Sequence, residues 1–512
     1  MSVVGGRFAV VVLVVTALRL HVMTEVPLTG AEAYYWQWSR HLALGYYDHP
    51  PMVAWLIALS TAVFGTSVFS VRLMGPLCSA LMTLIVWRLA RKLTGSVRVA
   101  QMAGLLVLVT PFISVSAMAM TPDSALLPAW AGCVYLLRVA ISESRRAWWF
   151  AGIALGIGIL CKLMALLLVP SLFAYLLLSP TDRRWLRRKE PYLFVLVGLM
   201  VASPFLWWNV THDWQALSYQ ANYRFGSAHI TAPSTRYLGD FFLQQAVNLS
   251  PIIFVLAMFA AVRCVVRGVR REGGDLFLGV FGGVMISFFT LTSLYTPTRG
   301  YWAMPAHIVL LVAIPSLYAH LGSVYRVAVM SGIVIAGTMT ATVYALLIRP
   351  QTAFDLVSRF DIPTRTMNRP DTLRAANLAE IFGYEGAGRA LKRVVAEMSA
   401  SRPSFVITDT HERSSLLAFY SGLETHVIGS SIRGRAYDEW SRLDTLAGHD
   451  AVFVDVVPYG ERPYIVDLLR RAFASVETDP PLHLMVGAQP IRPFYFFRCR
   501  GFRPDGLDAN RR

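Results

Sequence analysis

Residues 147–179 read AWWFAGIALGIGILCKLMALLLVPSLFAYLLLS, an apolar run of 33 residues with a single charge at Lys162. A membrane-spanning helix needs about 20 apolar residues, so this run is too long for one span. It is long enough for two short helices joined by a sharp turn near Cys161–Lys162. Basic clusters flank the run at Arg145–Arg146 and at 183–189. Because such clusters usually lie in the cytoplasm, the run is predicted to cross the membrane twice.

The composition of the whole chain also indicates a polytopic membrane protein. Of its 512 residues 55% are hydrophobic and only 15% are charged, and the mean hydropathy is +0.49. Soluble domains carry about 25% charged residues. The net charge of +16 is concentrated in clusters between apolar blocks, which indicates cytoplasmic loops and excludes nucleic-acid binding as its meaning. Four of the five cysteines lie in or beside apolar blocks, which excludes a disulfide scaffold.

Apolar blocks recur along residues 1–349 and predict a membrane domain of about eleven transmembrane helices, and at most thirteen. The first block lacks a convincing cleavage site, so we interpret it as an uncleaved helix and not as a signal peptide. The basic clusters place the N-terminus in the cytoplasm and the first loop, 24–69, outside it. The predicted spans are 8–20, 70–88, 98–117, 124–141, 147–160, 163–179, 191–208, 241–262, 276–293, 302–319 and 325–347.

The tail, residues 350–512, has the composition of a soluble domain and is predicted to lie in the periplasm, because the span count is odd. Short apolar runs alternate there with helical patterns, which predicts a small α/β domain. The glycines at 383–388 follow no strand and predict a turn. The apolar runs are Ser404–Thr408, Thr425–Ile428 and Ala451–Val457, and the helical patterns are Ala387–Met398 and Tyr464–Ala474.

Candidate reactive groups first appear in the external loop 24–69. If residues 31–41 form a helix, their spacing places one carboxylate, two aromatic rings and a guanidinium on one face. Such a face suits a sugar phosphate, because a sugar ring stacks on aromatic groups while Arg40 binds the phosphate. The alternative is an amphipathic helix whose aromatic side chains lie among lipid headgroups. The residues of this face are Glu32, Tyr35, Trp36, Ser39 and Arg40.

Two further carboxylates lie on the same predicted side of the membrane, where a functional role is the default for an acidic residue. Tyr47, Asp48 and His49 precede two prolines, which force an extended turn and so aim these side chains without helical registry. Asp123 follows Pro122 at the start of the fourth block. It is either a catalytic carboxylate or the N-cap of that helix, and the two roles can coexist.

The candidate basic partners of these carboxylates are Lys162 and Arg299. Lys162 either binds an anion or extends its ammonium group to the membrane surface. Arg299 is an isolated cation on the external side, against the usual distribution of basic residues, and Trp302 follows it. A lipid phosphate explains its position.

Taken together, these motifs resemble the bacterial branch of the dolichyl-phosphate-mannose protein mannosyltransferase-like family. These proteins are membrane glycosyltransferases of the type C fold, and the family includes the lipid A aminoarabinose transferase. The likeness extends over about residues 25–310 and more weakly over the tail. The stretches that carry it are EAYYW (32–36), GYYDHPP (45–51), MTPDS (120–124), CKLMAL (161–166), SPFLWWN (203–209), HDW (212–214), RGYW (299–302) and LLAFYSG (416–422).

The resemblance implies an inverting transfer of a sugar from a polyprenyl (undecaprenyl) phosphate to a cell-envelope acceptor such as lipid A or lipopolysaccharide core. It implies a bacterial inner-membrane protein whose active site and C-terminal domain face the periplasm. In the family an acidic pair occupies the first external loop, and here Ala31 replaces its first member. The base is therefore left open among three carboxylates. The predicted catalytic residues are Glu32, Asp48 and Asp123, the predicted ligands of the donor phosphate are Arg299, Lys162 and Arg40, and the predicted substrate contacts are Tyr35, Trp36, Tyr47, His49 and Trp302.

Two other functions remain open on the sequence. One is transfer from the same donor to a protein hydroxyl, and the other is transport or flipping of a lipid-linked sugar, with charged groups lining a path. The transfer chemistry requires no cofactor and no metal, because fixed cations can stabilise a monophosphate leaving group. Paired carboxylates could nevertheless hold a divalent cation.

Overall fold

The structure is a computed structural model that describes residues 3–226, 233–271, 274–360, 381–428, 435–487 and 489–507. By its internal contacts the chain divides into two units. The first unit contains Met1–Glu25 and Leu42–Ala345, and the second contains Val26–His41 and Leu346–Arg512. Part of the first predicted external loop therefore belongs to the same unit as the tail.

The first unit is helical. Five of the described helices are long and apolar enough to cross a membrane, a pair bent by 55° would make a sixth, and shorter apolar helices accompany them. The polytopic helical fold is confirmed, whereas the number of eleven spans stays a prediction. In chain order the helices, with α2 of the second unit included, are α1 Val3–Val22, α2 Gly30–Arg40, α3 Met52–Phe64, α4 Val68–Arg72, α5 Met74–Thr94, α6 Val97–Val109, α7 Pro111–Ser116, α8 Pro122–Ser142, α9 Ala147–Cys161, α10 Leu168–Leu178, α11 Glu190–Val201, α12 Ser203–Thr211, α13 Gln215–Ser218, α14 Thr235–Leu249, α15 Pro251–Arg271, α16 Gly274–Ser293, α17 Met304–Ser316 and α18 Ser323–Ile348.

The apolar run at 147–179 folds as two helices with a break at Lys162, as predicted, and its two crossings of the membrane stay a prediction. The first helix, α9, ends at Cys161, and Lys162 has extended backbone angles of φ −164° and ψ 136°. A 3₁₀ turn at Leu163–Leu167 then leads into α10. The break places Lys162 at the junction of the two helices.

Three predicted spans are interrupted in the structure: 98–117 between α6 and α7, 191–208 between α11 and α12, and 241–262. Residues 241–262 form two helices and not one, because α14 ends at Leu249 and α15 begins at Pro251. Ser250 between them has φ 82°, in the left-handed region that a helix does not use. Proline at 251 has no N–H to continue the hydrogen bonds of the preceding helix. The predicted external loop 24–69 also contains the apolar helix α3, for which the sequence analysis gave no helix.

Arg19 fixes the break between α6 and α7. Its side chain is 1% exposed and donates to the carbonyl of Leu108 (3.2 Å) and to Ser114 Oγ (3.1 Å), on the two sides of the break. It also donates to Ser79 Oγ (2.8 Å) and Tyr344 Oη (3.1 Å). A buried guanidinium held by neutral acceptors stabilises a helix interruption whose backbone groups would otherwise lack partners.

The second unit contains a five-stranded sheet of order β2-β1-β3-β7-β4, with β1 parallel to β2 and β3, and β7 antiparallel to β3 and β4. The predicted α/β domain is thus confirmed, and the three predicted strands are β1 to β3. Strands β4 and β7 of this sheet were missed, as was the separate pair β5 and β6. The elements are α19 Pro350–Phe360, α20 Tyr384–Ser399, β1 Ser404–Thr408, α21 His411–Ser421, β2 Thr425–Val427, α22 Arg435–Trp440, β3 Asp450–Asp455, α23 Pro463–Ala472, β4 Phe473–Thr478, β5 Met485–Val486, β6 Gln489–Pro490 and β7 Tyr495–Phe502.

The glycines at 383–388 do not form the predicted turn. Gly383, with φ 86°, immediately precedes α20, and the other two glycines lie inside that helix. A Cβ atom at Gly388 would lie 2.8 Å from the carbonyl carbon of Tyr420 in α21. Glycine is therefore needed here for the close approach of two helices, not for a turn.

Candidate functional site

A buried ion pair between Asp123 and Lys162 is the most distinctive feature of the first unit. Lys162 Nζ lies 2.7 Å from Asp123 Oδ1 and 2.9 Å from Oδ2. The lysine side chain is 5% exposed and the aspartate side chain 14%. Asp123 lies in the first turn of α8 and Lys162 follows the last residue of α9, so the pair joins these two helix ends.

Both structural alternatives for these residues are wrong. The N-cap of α8 is Thr121 and not Asp123, because Thr121 Oγ1 accepts from the Ser124 N–H in a capping box. Lys162 does not extend to a membrane surface, since its ammonium group is buried against Asp123. The role that the structure shows for each charge is to pair with the other.

An aromatic stack lies beside the ion pair. Lys162 Nζ is 5.5 Å from the centroid of the Tyr301 ring, within the range of a cation–π interaction. The ring of Phe112, in α7, stacks on Tyr301 with 5.5 Å between centroids and 14° between planes. The Lys162 ammonium group thus contacts the Tyr301 ring in addition to the Asp123 carboxylate.

Arg299 lies two residues before Tyr301, at the start of a 3₁₀ turn. This turn is held by a hydrogen bond from the Gly300 N–H to Gln244 Oε1 (3.1 Å). The Arg299 side chain is exposed, and within the described part of the chain no side chain pairs with its guanidinium group. Trp302 is buried and packs near Phe289, with 6.0 Å between ring centroids. Arg299 is therefore available to an anion, whereas Trp302 belongs to the packed interior.

The loop that carries Asp48 reaches the same end of α9. Met52 and Trp55, at the start of α3, pack in one apolar cluster with Leu160 and Leu163, which flank Lys162 along the chain. Asp48 itself is 1% exposed. The structure thus brings the Asp48 loop close to the neighbours of Lys162, and a direct approach of Asp48 to the ion pair stays a prediction.

The remaining predicted contacts of this loop are also buried. The Tyr47 ring packs against Tyr219 at 5.3 Å between centroids, and His49 is 5% exposed. Gln220 Nε2 donates to the backbone carbonyl of Asp48. Tyr219 and Gln220, which the sequence analysis missed, therefore hold the loop from a distant part of the chain.

Glu32 has a structural role that its sequence setting did not reveal. It is 0% exposed, and its Oε2 accepts from the Thr29 N–H (3.1 Å) and from Thr29 Oγ1 (3.0 Å) at the start of α2. Because α2 belongs to the second unit, the convergence of Glu32 with Asp48 and Asp123 stays a prediction.

The other predicted residues of α2 are packed within the second unit. The Trp36 ring lies 5.1 Å from Phe419, and the Arg40 guanidinium lies 5.1 Å from the centroid of Trp36. Tyr35 and Trp36 are 8% and 4% exposed, so the alternative of a helix with its aromatic groups among lipid headgroups is wrong. Arg40 is exposed, and its contact with phosphate stays a prediction.

The described residues contain no group of three or more His, Cys, Asp or Glu side chains that could hold a metal ion.

Comparison with known proteins finds related sequences and a related fold. Residues 48–208, which include both members of the ion pair, match the family model of dolichyl-phosphate-mannose-protein mannosyltransferase. The lipid A galacturonosyltransferase of Rhizobium johnstonii is 30% identical over 281 residues, which are 54% of this chain and 58% of that protein. The undecaprenyl phosphate-alpha-4-amino-4-deoxy-L-arabinose arabinosyl transferase of Pseudomonas aeruginosa is 29% identical over 301 residues, 54% of this chain and 50% of that protein. The matches thus span little more than half the length of these relatives.

A solved structure shares the fold over nearly the whole chain. The crystal structure of ArnT from Cupriavidus metallidurans in the apo state aligns with a TM-score of 0.61 and 17% identity, and covers 96% of this chain and 97% of its own. The structure of the same protein bound to undecaprenyl phosphate aligns equally well, at 16% identity. At this identity the likeness concerns the fold, and it confirms the predicted type C architecture.

Proposed function

Because residues 48–208 match the family model of dolichyl-phosphate-mannose-protein mannosyltransferase, we propose that this chain is an inverting membrane glycosyltransferase. Its donor is a sugar linked to undecaprenyl phosphate, and its acceptor is lipid A or the lipopolysaccharide core. The names of the relatives support both substrates, since one is a lipid A transferase and the other uses an undecaprenyl phosphate sugar. The proposed location is the bacterial inner membrane, with the site facing the periplasm.

The observation that carries the proposal is the buried Asp123–Lys162 pair beside Tyr301, which lies two residues after Arg299 in the chain. Burying the Lys162 ammonium group at a helix end within an apolar unit costs free energy, and this cost favours a functional role for the charge. The exposed guanidinium of Arg299, two residues before Tyr301, can act with this ammonium group as a cationic pair that binds a phosphate monoester. A polyprenyl phosphate presents such a group at the level of the membrane surface.

In the proposed reaction an acceptor oxygen attacks the anomeric carbon of the donor sugar. The new carbon–oxygen bond forms while the bond from that carbon to the phosphate oxygen breaks, so the configuration inverts and undecaprenyl phosphate leaves. Lys162 and Arg299 stabilise the negative charge that develops on the leaving phosphate. Fixed cations supply this stabilisation, so the proposed chemistry requires no metal.

A hydroxyl acceptor also needs a base for its proton. Both oxygens of Asp123 already accept hydrogen bonds from Lys162, so we assign Asp123 to positioning the ammonium group. Glu32 and Asp48 are then the two remaining candidates for the base. Glu32 also forms part of the capping box of α2, and the choice between Glu32 and Asp48 as the base is left to experiment.

The test is sugar transfer in detergent from a synthetic undecaprenyl phosphate sugar to lipid A, followed by mass spectrometry. Asp48→Asn and Glu32→Gln keep shape and lose charge, and loss of a general base typically costs about 10²–10⁴-fold in rate. Glu385→Gln, at an exposed site of the second unit, is the matched control. Normal transfer by both Asp48→Asn and Glu32→Gln would contradict the assignment, and absence of any transfer by the wild-type protein would contradict the function.

A further inference from the structure

The second unit contains a cavity at one edge of its sheet. Its volume is about 820 Å³, and the residues that follow the parallel strands β1 and β3 line it, among them Asp409 and Thr410 after β1 and Val456 after β3. The chain leaves β1 toward β2 on one side and leaves β3 toward β4 on the other. Such a reversal at the carboxyl ends of parallel strands opens a crevice, and ligands of open α/β sheets bind in crevices of this type.

Two arginines are fixed at the floor of this cavity. Arg462 spans two carboxylates, with Nη2 2.6 Å from Asp409 Oδ2 and Nη1 2.9 Å from Asp455 Oδ2. Arg413, on α21, pairs with the same two residues, and its Nη1 lies 3.0 Å from Asp455 Oδ1. Both carboxylate side chains are 3% exposed, so they hold the guanidinium groups in place and do not face the solvent.

Donor groups remain on both arginines. A guanidinium group has five N–H donors, and Arg462, 34% exposed, uses only part of them on the two aspartates. Arg413 Nε is buried, and among the residues that the structure describes none accepts its hydrogen. Arg413 and Arg462 are therefore held in fixed orientations and still have N–H groups that can donate to a ligand.

A third arginine lies on the wall. Arg492 donates to Tyr384 Oη (3.0 Å), and its guanidinium lies 5.5 Å from the centroid of the same ring. The lining as a whole has three arginines against two carboxylates, and one of these, Glu412, is half exposed at the rim. The first turn of α21 also faces the cavity, and the start of a helix favours an anion.

A purely structural role for the charges is the alternative. Four alternating charges can hold two strand ends together, but a buried network of this kind contributes little net stability compared with apolar packing. It also leaves the open volume unexplained. Ligand cavities are typically about 300–1,000 Å³, so this one can hold one or two sugar rings.

We propose that this cavity binds a phosphate-bearing saccharide, with Arg462 and Arg492 as the phosphate ligands and Tyr384 beside the sugar. Phosphate fits better than a single carboxylate, because its three oxygens and double charge can engage guanidinium groups that come from separate segments. Thr29, Gly30 and Ala31 at the start of α2 line the same cavity, next to the candidate base Glu32. The ligand is therefore the phosphorylated headgroup of the acceptor, and this last assignment rests on the proposed function.

The binding test does not depend on turnover. Purified full-length protein in detergent is titrated with glucosamine 1-phosphate, with glucosamine and with inorganic phosphate, and binding is followed by calorimetry. A further titration uses lipid A in mixed micelles, which separates a free sugar phosphate from a lipid headgroup as the source. The variants are Arg462→Gln and Arg492→Gln, and the control is Arg402→Gln, an exposed arginine outside the cavity. Arg299→Gln removes the phosphate ligand proposed for the donor and must leave this binding unchanged.

We expect glucosamine 1-phosphate to bind more tightly than either fragment, and each cavity variant to weaken it at least about tenfold, the loss of one charge-assisted contact. The same dependence seen only with lipid A would support the cavity with a lipid headgroup as its source. If binding of both ligands is unaffected in Arg462→Gln and in Arg492→Gln, the cavity is not the site, whatever the transfer assay shows. Because Arg492 stands outside the network of four charges, its variant keeps the test valid if Arg462→Gln does not fold.

Discussion

Replacement of Asp123 by Asn is expected to destabilise the protein by about 3–5 kcal/mol, because it leaves the Lys162 ammonium group buried without a counter-charge. At an effective dielectric constant of about 20, two unit charges 2.7 Å apart attract by about 6 kcal/mol. The cost of removing both charges from water offsets much of this attraction. Lys162→Met should be destabilising for the same reason, since it leaves the carboxylate alone.

The double variant Asp123→Asn/Lys162→Met decides the matter. It removes both charges, so its loss of stability should be smaller than the sum of the two single losses by at least about 1.5 kcal/mol. The measurement is the free energy of reversible unfolding in detergent for all four proteins. The exposed pair Glu385–Arg389, with side chains 73% and 66% exposed, is the matched control and should show a coupling of only about 0.3–0.5 kcal/mol. Additive losses at Asp123 and Lys162 would refute a buried, mutually dependent pair.

The remaining predictions concern phosphate recognition, topology, metal dependence and pH. Arg299→Lys keeps the charge but loses the bidentate guanidinium group, so turnover should fall at least about tenfold. The same change at exposed Arg236 is the control and should have no effect. Equal rates for wild type and Arg299→Lys would exclude Arg299 from the site. A cysteine introduced at Asp505 should react with an impermeant reagent added outside intact spheroplasts, and protection there would contradict a periplasmic tail. Dialysis against a chelator should leave the transfer rate unchanged, since fixed cations stabilise the leaving phosphate, and recovery of a lost rate on adding back a divalent ion would overturn the metal-free mechanism. Burial lowers the pKa of the His426 imidazole below its ordinary value of 6.5, and Glu424 raises it by less. The unfolded chain therefore binds more protons below pH 6.5 than the folded chain does. The free energy of unfolding should be highest above that pH and should fall as the pH drops below it. If the melting temperature of His426→Gln has the same pH slope as that of the wild type, this histidine is not the cause.

The sequence predicted the features that depend on local composition. A run of 33 apolar residues with one central charge is expected to be interrupted near that charge, and the structure has a helix break at Lys162. Strands β1, β2 and β3 were predicted because each is a short apolar run bounded by polar residues. Strand β4 was missed because it begins at Phe473, immediately after the last residue of α23, with no turn residue to mark the change.

The candidate site was predicted only as a set of residue types. Asp123 and Lys162 are 39 positions apart, and no periodicity within one helix relates them. Their pairing depends on α8 and α9 being antiparallel neighbours, which is a feature of the tertiary structure and not of the local sequence. Thr121 is the cap of α8 because its hydroxyl accepts from the Ser124 N–H and the Ser124 hydroxyl accepts from the Thr121 N–H, whereas Pro122 and Asp123 also satisfy the usual sequence rules for a helix start.

Arg19 shows most directly what local sequence rules leave out. At the sequence level it is a lone charge near the end of an apolar block, a position in which extension to the membrane surface is the ordinary interpretation. Its acceptors lie 60 to 325 positions away, and two of them bracket the break that precedes Phe112. Phe112 stacks on Tyr301, and Tyr301 lies against Lys162. A buried cation at the first helix therefore supports, through one helix break and one aromatic stack, the ammonium group on which the proposed phosphate site depends.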